Sequence, residues 1–197
     1  MTAVLLLSIL VVSAVLHELS HGMVAERLGD PTARLAGRLT LNPIPHLDPV
    51  GSILLPAMLV LSGSPFVFGW AKPVPFNPRY LRNRRWGPAL VGAAGPLANL
   101  SLAVLAGIAL RGGVPGAPVL YAIVVINLVL AVFNLIPVPP LDGSRLVYPL
   151  LPASLRYGYA RLERVGIILV FGLVYVLGGP LLSVPVRFLS RVITGVG

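Results

Sequence analysis

The chain has no cysteine and little charge: 11% of its 197 residues are charged, and only six residues are acidic. Without cysteine it can form no disulfide bond, and any zinc site must use His, Asp or Glu as ligands. Soluble domains usually carry about 25% charged residues. With 56% hydrophobic residues and a mean hydropathy of +0.91, the chain is therefore predicted to be an integral membrane protein.

The fifteen basic residues outnumber the acidic ones and give a net charge of +9. Such an excess can indicate nucleic-acid binding, but here the basic residues lie between apolar segments, where they set the orientation of a membrane protein. We expect a lipid bilayer as a partner and no nucleic acid. No Lys or Arg precedes Arg27, so the first apolar stretch lacks the basic start of a secretory signal and is predicted to be a retained transmembrane helix.

Long apolar runs predict an all-α, polytopic membrane protein that forms a single membrane-embedded domain over residues 1–197. Residues 2–143 would be its core, and residues 144–197 a C-terminal span and tail. Three runs are long enough to cross the hydrocarbon core as the core helices, and a fourth forms the further C-terminal span. In chain order, the predicted spans cover residues 2–24, 88–110, 118–136 and 165–184.

Residues 50–71 are apolar but are interrupted by Pro56 and by the turn-like residues 62–65. They can form one straight helix, or a re-entrant hairpin that turns at Gly63 and returns through residues 66–70. Basic loops flank the segment on both sides, and the positive-inside rule places both in the cytoplasm. An even number of crossings must therefore separate them, which favours the re-entrant hairpin.

Two shorter segments carry weaker signals. Residues 37–41 alternate polar and apolar side chains, which predicts a short β-strand. The tail carries Arg187 and Arg191 four residues apart on one helical face. That spacing favours a helix lying on the membrane surface.

The pattern H-E-x-x-H occupies residues 17–21, at the end of the first span. On a helix, His17 and His21 share one face and can hold one zinc ion. Glu18 lies about 100° around the helix from His17, where it can act on water beside the metal without being a ligand. Two of the chain's three histidines thus lie in an apolar run, where ionisable groups are costly and usually functional.

A catalytic zinc needs a third protein ligand and an open position. Asp142 follows the proline-rich residues 137–140, which unwind the third span, and the predicted topology puts it level with the two histidines. Asp48 is the alternative, with His46 as an extra or transient ligand, although a helix cap and an interfacial histidine explain that pair without a metal. The acids that we interpret as solvated charges in Arg-rich loops are Glu26, Asp30 and Glu163.

Three motifs, in order, make the chain resemble the site-2 proteases, the intramembrane zinc metalloproteases of peptidase family M50. Residues 17–21 match the H-E-x-x-H helix, residues 95–99 resemble the G-P-x-x-N motif, and residues 134–143 match N-x-x-P-x-P-x-L-D-G. Many bacterial members carry a PDZ domain between the second and third core helices. This chain has only a short loop at residues 111–115, so it is most similar to a compact, PDZ-less subgroup.

The resemblance implies a zinc endopeptidase with one Zn²⁺ per chain and with Glu18 as the catalytic base. The implied zinc ligands are His17, His21 and Asp142. It also suggests Asn134 as a polar residue near the substrate or the tetrahedral intermediate, with a structural bond to a helix carbonyl as the alternative. The other candidates for substrate binding or for support of the ligands are Asn99, His46 and Asp48.

The implied substrate is a membrane protein that is cut within a transmembrane helix. Such a helix must unwind locally before a peptide carbonyl can reach the metal. The unwound segment would pair with the predicted strand at residues 37–41, and the hairpin at residues 50–71 would act as a gate. The preference for Arg over Lys suggests a prokaryotic cell membrane, with the active site toward the cytoplasmic side.

Two other functions fit the same His/Glu/Asp cluster: a membrane ion transporter that uses it as an ion path, and a non-catalytic binder of membrane proteins. Against transport, the sequence has no repeated halves. Against the binder, every predicted zinc and base position is intact. Zinc-dependent cleavage that requires Glu18 would separate the protease from both.

Overall fold

The computed structural model describes residues 2–63 and 69–195, except the side chains of residues 174, 175, 177 and 178. The described residues contain helices and turns but no β-strand, which confirms the all-α prediction. The α-helices of this part of the chain are α1 (Ala3–Arg27), α2 (Thr32–Leu35), α3 (Leu55–Leu61), α4 (Gly87–Arg111), α5 (Ala117–Asn134), α6 (Asp142–Val147), α7 (Ala153–Arg161) and α8 (Gly166–Thr194). Shorter 3-10 and π-helical turns occupy Ile44–His46, Pro49–Leu54, Tyr148–Leu150 and Leu162–Arg164.

Helices α1, α4 and α5 are long and apolar enough to cross a membrane, as predicted. Glycine in the left-handed region marks two of their ends: Gly29, with a φ of 107°, follows α1, and Gly116, with a φ of 97°, precedes α5. Small side chains allow α4 and α5 to pack closely. The buried apolar cluster between them and α8 comprises Ala103, Ala106, Val124, Leu128 and Val186.

Helix α8 runs the length of the helical bundle. At its start, a Cβ on Gly166 would lie 2.1 Å from the carbonyl oxygen of Pro139, close to α6 in the chain. Near its end, Ile193 packs on Gly107 in the last part of α4. With 29 residues, α8 is about 43 Å long. These contacts support the predicted further C-terminal span.

The predicted tail is part of α8 and not a separate element, and its position on the membrane surface stays a prediction. Arg187 and Arg191 belong to α8, which continues without a break to Thr194. The physical reason is the close contact at Gly107, where a Cβ would lie 2.2 Å from a methyl group of Ile193. The end of α8 can therefore pack against α4.

The two ends of segment 50–71 lie next to each other. The Trp70 N–H donates to Gly51 O at 3.1 Å, and Ser52 Oγ donates to Trp70 O at 2.8 Å. Between these contacts, α3 ends at a turn containing Gly63, whose φ is 69°. Adjoining ends are what a hairpin requires and a straight spanning helix forbids. Residues 64–68 lie outside the described part of the chain, and re-entry into the bilayer stays a prediction.

The predicted strand at residues 37–41 is wrong. Gly37, with a φ of 66°, instead terminates α2, and the Arg38 N–H donates back to Ala33 O at 2.9 Å. Thr40 O is paired with His46 Nε2 at 3.0 Å. This backbone is curved and partly bonded within the chain, so it offers no edge for an extended substrate.

Candidate metal centre and catalytic site

Helix α1 presents two imidazoles to Asp142, the first residue of α6. The Nε2 atoms of His17 and His21 lie 3.1 Å apart, and Asp142 Oδ2 lies 3.1 Å from the first and 3.0 Å from the second. All three residues are buried. With zinc–nitrogen and zinc–oxygen distances of about 2.0–2.2 Å, three ligand atoms of a tetrahedral site lie about 3.3 Å apart. The observed triangle therefore fits zinc.

Two glycines let the helices approach this closely. A Cβ on Gly95 of α4 would lie 2.5 Å from His21 Nε2 and 2.6 Å from His17 Nε2. A Cβ on Gly143 would lie 2.2 Å from Leu135 O. Gly95 therefore leaves room for the ligand atoms, and Gly143 lets α6 fold back onto the end of α5.

A hydrogen bond at Nδ1 orients each imidazole. His21 Nδ1 lies 2.6 Å from Val91 O, and His17 Nδ1 lies 2.6 Å from Asn99 Oδ1. Carbonyl oxygens only accept hydrogen bonds, so Nδ1 carries the proton in both rings and Nε2 of the neutral imidazole carries the lone pair. Both lone pairs face Asp142 Oδ2.

The second oxygen of Asp142 has a partner of its own, because Oδ1 accepts from Arg145 Nη1 at 3.1 Å. The Arg145 guanidinium beside Oδ1 favours the charged form of the Asp142 carboxyl. The carboxylate is therefore ionised. Two nitrogen lone pairs and one carboxylate oxygen converge, and a cation between them would satisfy all three.

Glu18 is held at the edge of this site by the extended segment 71–77. Its Oε2 accepts the backbone N–H of Val74 at 2.9 Å. The segment is fastened to the protein by Arg38, whose Nη2 donates to Lys72 O at 2.6 Å. One carboxylate oxygen of the predicted base thus has a fixed position beside α1.

Asp30 helps to fasten the same segment, so its interpretation as a solvated charge is wrong. It is fully buried. Its Oδ1 accepts the N–H of Thr32 at 3.0 Å, and its Oδ2 accepts the N–H of Asn77. Burial of this carboxylate is tolerated because backbone donors surround it.

Among the described residues, the metal-ligand cluster consists of His17, His21 and Asp142. Asp48 Oδ1 instead accepts the N–H groups of Val50 and Gly51, as a helix cap does. His46 Nε2 is bonded to a backbone carbonyl at 3.0 Å. The structure therefore places this pair in the turn before the hairpin.

The polar residues of the two motif helices occupy different places. Asn99 of α4 contacts His17 directly. Asn134 of α5 donates to Leu130 O in its own helix at 2.9 Å, and its role near a substrate stays a prediction. Sequence reasoning missed Asn127, a fully buried asparagine on α5 whose Oδ1 accepts from Asn99 Nδ2 at 2.8 Å. The available signal was its position as an amide within the apolar run 118–136.

Comparison with known proteins shows the family. The profile of peptidase family M50 matches residues 113–177. The "Putative zinc metalloprotease YwhC" of Bacillus subtilis is 41% identical over 171 residues, which are 81% of this chain and 74% of that protein. The chain belongs to peptidase family M50.

Other relatives agree with this assignment. Rip2 of Mycolicibacterium smegmatis is 31% identical over 163 residues, and a protein named as a zinc metalloprotease in Methanocaldococcus jannaschii is 28% identical over 177 residues. The chain spans 61% of the first of these proteins and 42% of the second. No solved structure matches the chain. Family membership and the apolar helices together make this M50 protein a metalloprotease embedded in the membrane.

Proposed function

We propose that this M50 protein is an intramembrane zinc endopeptidase that cuts a transmembrane segment of another membrane protein. The observation that carries the proposal is the meeting of His17 Nε2, His21 Nε2 and Asp142 Oδ2 at 3.0–3.1 Å within a bundle of apolar helices. These atoms would hold one Zn²⁺ per chain and leave a fourth position open.

A zinc ion held by His17, His21 and Asp142 would lower the pKa of water and polarise a peptide carbonyl. Glu18 takes the proton of the attacking water and delivers it to the leaving amide nitrogen. Because Val74 N–H occupies Oε2 of Glu18, we assign the proton to the other carboxylate oxygen. The bond to Val74 also keeps the side chain from swinging away from His17.

The substrate and the orientation of the protein are part of the same proposal. Peptide bonds in a transmembrane helix are hydrogen-bonded and covered by side chains, so local unwinding precedes cleavage. The basic loops that follow α1 and precede α4 lie at the His21 end of the molecule. By the positive-inside rule, the site faces the cytoplasmic side. Relatives in bacteria and an archaeon support a prokaryotic cell membrane.

The test measures zinc content and cleavage of a single-span substrate in detergent for the wild type, Glu18→Gln and Glu26→Gln. We expect one zinc per chain in all three. Cleavage should fall by about 10²–10⁴-fold in Glu18→Gln, because a general base contributes that much. Glu26→Gln is the matched control, since Glu26 lies on the same helix and pairs with Arg34 at 2.7 Å, and it should cleave normally.

Three outcomes would contradict the proposal. A wild-type protein without zinc would remove the metal centre and favour the ion path. Undiminished cleavage by Glu18→Gln would remove the assigned base. Stoichiometric zinc without cleavage of any membrane-spanning substrate would favour a non-catalytic binder.

A further inference from the structure

The hydrogen bonds behind His17 continue past Asn99 to a third helix. Asn99 Nδ2 donates to Asn127 Oδ1 at 2.8 Å and to Ser13 O at 3.4 Å. Asn127 Nδ2 donates to Ile123 O at 2.9 Å and to Ser13 Oγ at 3.0 Å. Both asparagines are fully buried. This network joins α1, α4 and α5 in the interior of the bundle.

Two backbone carbonyls fix the direction of the bonds in the network: Ser13 O accepts from Asn99 at 3.4 Å, and Ile123 O accepts from Asn127 at 2.9 Å. Ile123 O can only accept, so the Asn127 amide must turn its NH₂ group toward Ile123 and its oxygen toward Asn99. Asn99 then offers its NH₂ group to Asn127 and its oxygen to His17. The proton of His17 must therefore lie on Nδ1, and Nε2 keeps its lone pair for a metal.

We propose that Asn127 is a positioning residue of the metal centre, which fixes the tautomer and the ring orientation of His17 through Asn99. The inference rests on the proposed zinc function. A reversed Asn99 amide would present its NH₂ group to His17 Nδ1, move the imidazole proton to Nε2 and remove His17 as a ligand. Asn127 opposes that reversal, because the reversed amide would bring two carbonyl oxygens together in a buried site.

The test compares the zinc affinity of the apo-protein, by competition with a chromophoric chelator in detergent, for the wild type and Asn127→Leu. Leucine fills a similar volume but removes the shorter of the two hydrogen bonds that hold the Asn99 NH₂ group, leaving the longer bond to Ser13 O. Residues that orient a metal-binding histidine typically contribute about 10–100-fold to metal affinity, and we expect a loss in that range. Asn127→Asp, protonated in the buried site, can still donate to Ile123 O and accept from Asn99. It should restore most of the affinity.

Repeating the Asn127→Leu substitution in an Asn99→Asp protein distinguishes an effect on amide orientation from an effect on packing. In Asn99→Asp, both oxygens of the introduced carboxylate are acceptors. Either one can therefore accept the hydrogen bond from Nδ1–H of His17. Adding Asn127→Leu to Asn99→Asp should therefore change the zinc affinity by less than about threefold. This is well below the roughly 10–100-fold loss expected for Asn127→Leu in the otherwise wild-type protein. Histidine ¹⁵N chemical shifts of the apo-protein give an independent readout, with the proton of His17 on Nδ1 in the wild type and shared between both nitrogens in Asn127→Leu.

Ser101→Ala is the matched control, because Ser101 lies on α4 and donates only within its own helix, to Leu97 O at 2.8 Å. Thermal unfolding of each apo-variant checks that it folds. Wild-type zinc affinity in Asn127→Leu would overturn the inference. An equal loss of affinity from Asn127→Leu in the otherwise wild-type protein and in Asn99→Asp would also overturn it, because Asn127 would then act through packing alone. If Asn127→Leu does not fold, full loss of zinc affinity in folded Asn127→Asp would overturn it. Failure of the wild type to bind zinc would instead count against the proposed function.

Discussion

The surroundings of His21 and His17 produce the same tautomer in different ways. At His21, the acceptor is a backbone carbonyl of α4, Val91 O, at 2.6 Å. At His17, the acceptor is a side-chain amide of α4, whose own direction depends on an amide of α5. Any substitution at position 91 keeps the backbone carbonyl that accepts from His21, whereas a substitution of Asn99 removes the side-chain oxygen that accepts from His17. The packing of α1 on α4 is thus enough for one ligand, and the other also needs particular side chains on two helices.

The largest effect is expected where the two surroundings meet. Gly95→Ala places a Cβ within 2.5–2.6 Å of the Nε2 atoms of both histidines, so the ligand atoms must move apart. The loss of zinc affinity should exceed the roughly 10–100-fold that is typical of supporting residues, as measured by chelator competition. Gly158→Ala in α7, where a Cβ would meet nothing within 4 Å, is the control. Wild-type affinity in Gly95→Ala would contradict this packing of α4.

A smaller and one-sided effect is expected from Asn99→Leu. It deletes the acceptor of His17 and leaves the acceptor of His21 in place, so zinc affinity should fall by about 10–100-fold. In ¹⁵N spectra of the apo-protein, His17 should lose its single tautomer while His21 keeps it. Equal changes at both imidazoles would show that the two surroundings are not independent.

The smallest effect on zinc is expected from Val91→Ala. Val91 is fully buried in a cluster with Ala25 and Leu81, so truncation should lower the free energy of unfolding by about 1–3 kcal/mol. The carbonyl that orients His21 remains, and zinc affinity should change by much less than the tenfold that about 1.4 kcal/mol represents. Chelator competition and thermal unfolding on one sample measure both quantities. If Val91→Ala lost as much zinc affinity as Asn99→Leu, the proposed difference between the surroundings of His21 and His17 would be contradicted.

The parts of the site that were predictable from sequence are those encoded by short spacings. His17 and His21 share a helical face at four residues' separation. Asp142 was favoured over Asp48 because prolines before it unwind the third span and the predicted topology puts it level with the histidines. In the structure α5 ends before these prolines, and Asp142 lies beside both histidines. Asn127 was missed because its partner Asn99 lies 28 residues away on another helix. Only the packing of α4 on α5 brings the two amides together.

The errors have different physical causes, none of which a local sequence pattern reveals. The alternation at residues 37–41 suggested a strand, but a glycine at positive φ ends α2 there. Asp30 was interpreted as solvated because arginines surround it in the sequence, yet backbone donors enclose it. Arg187 and Arg191 suggested a helix separate from the last span, but a missing side chain at Gly107 allows α8 to continue.

The third ligand lies 125 residues after His17, and this separation has a consequence for biosynthesis. Ribosomes add about 5–20 residues per second, so α1 and its two histidines wait in the growing chain for about 6–25 s before Asp142 is made. In the proposed function, catalysis needs all three ligands. The proposed site is therefore incomplete during most of the protein's own synthesis, and its nascent helices are not exposed to a finished site in the same chain.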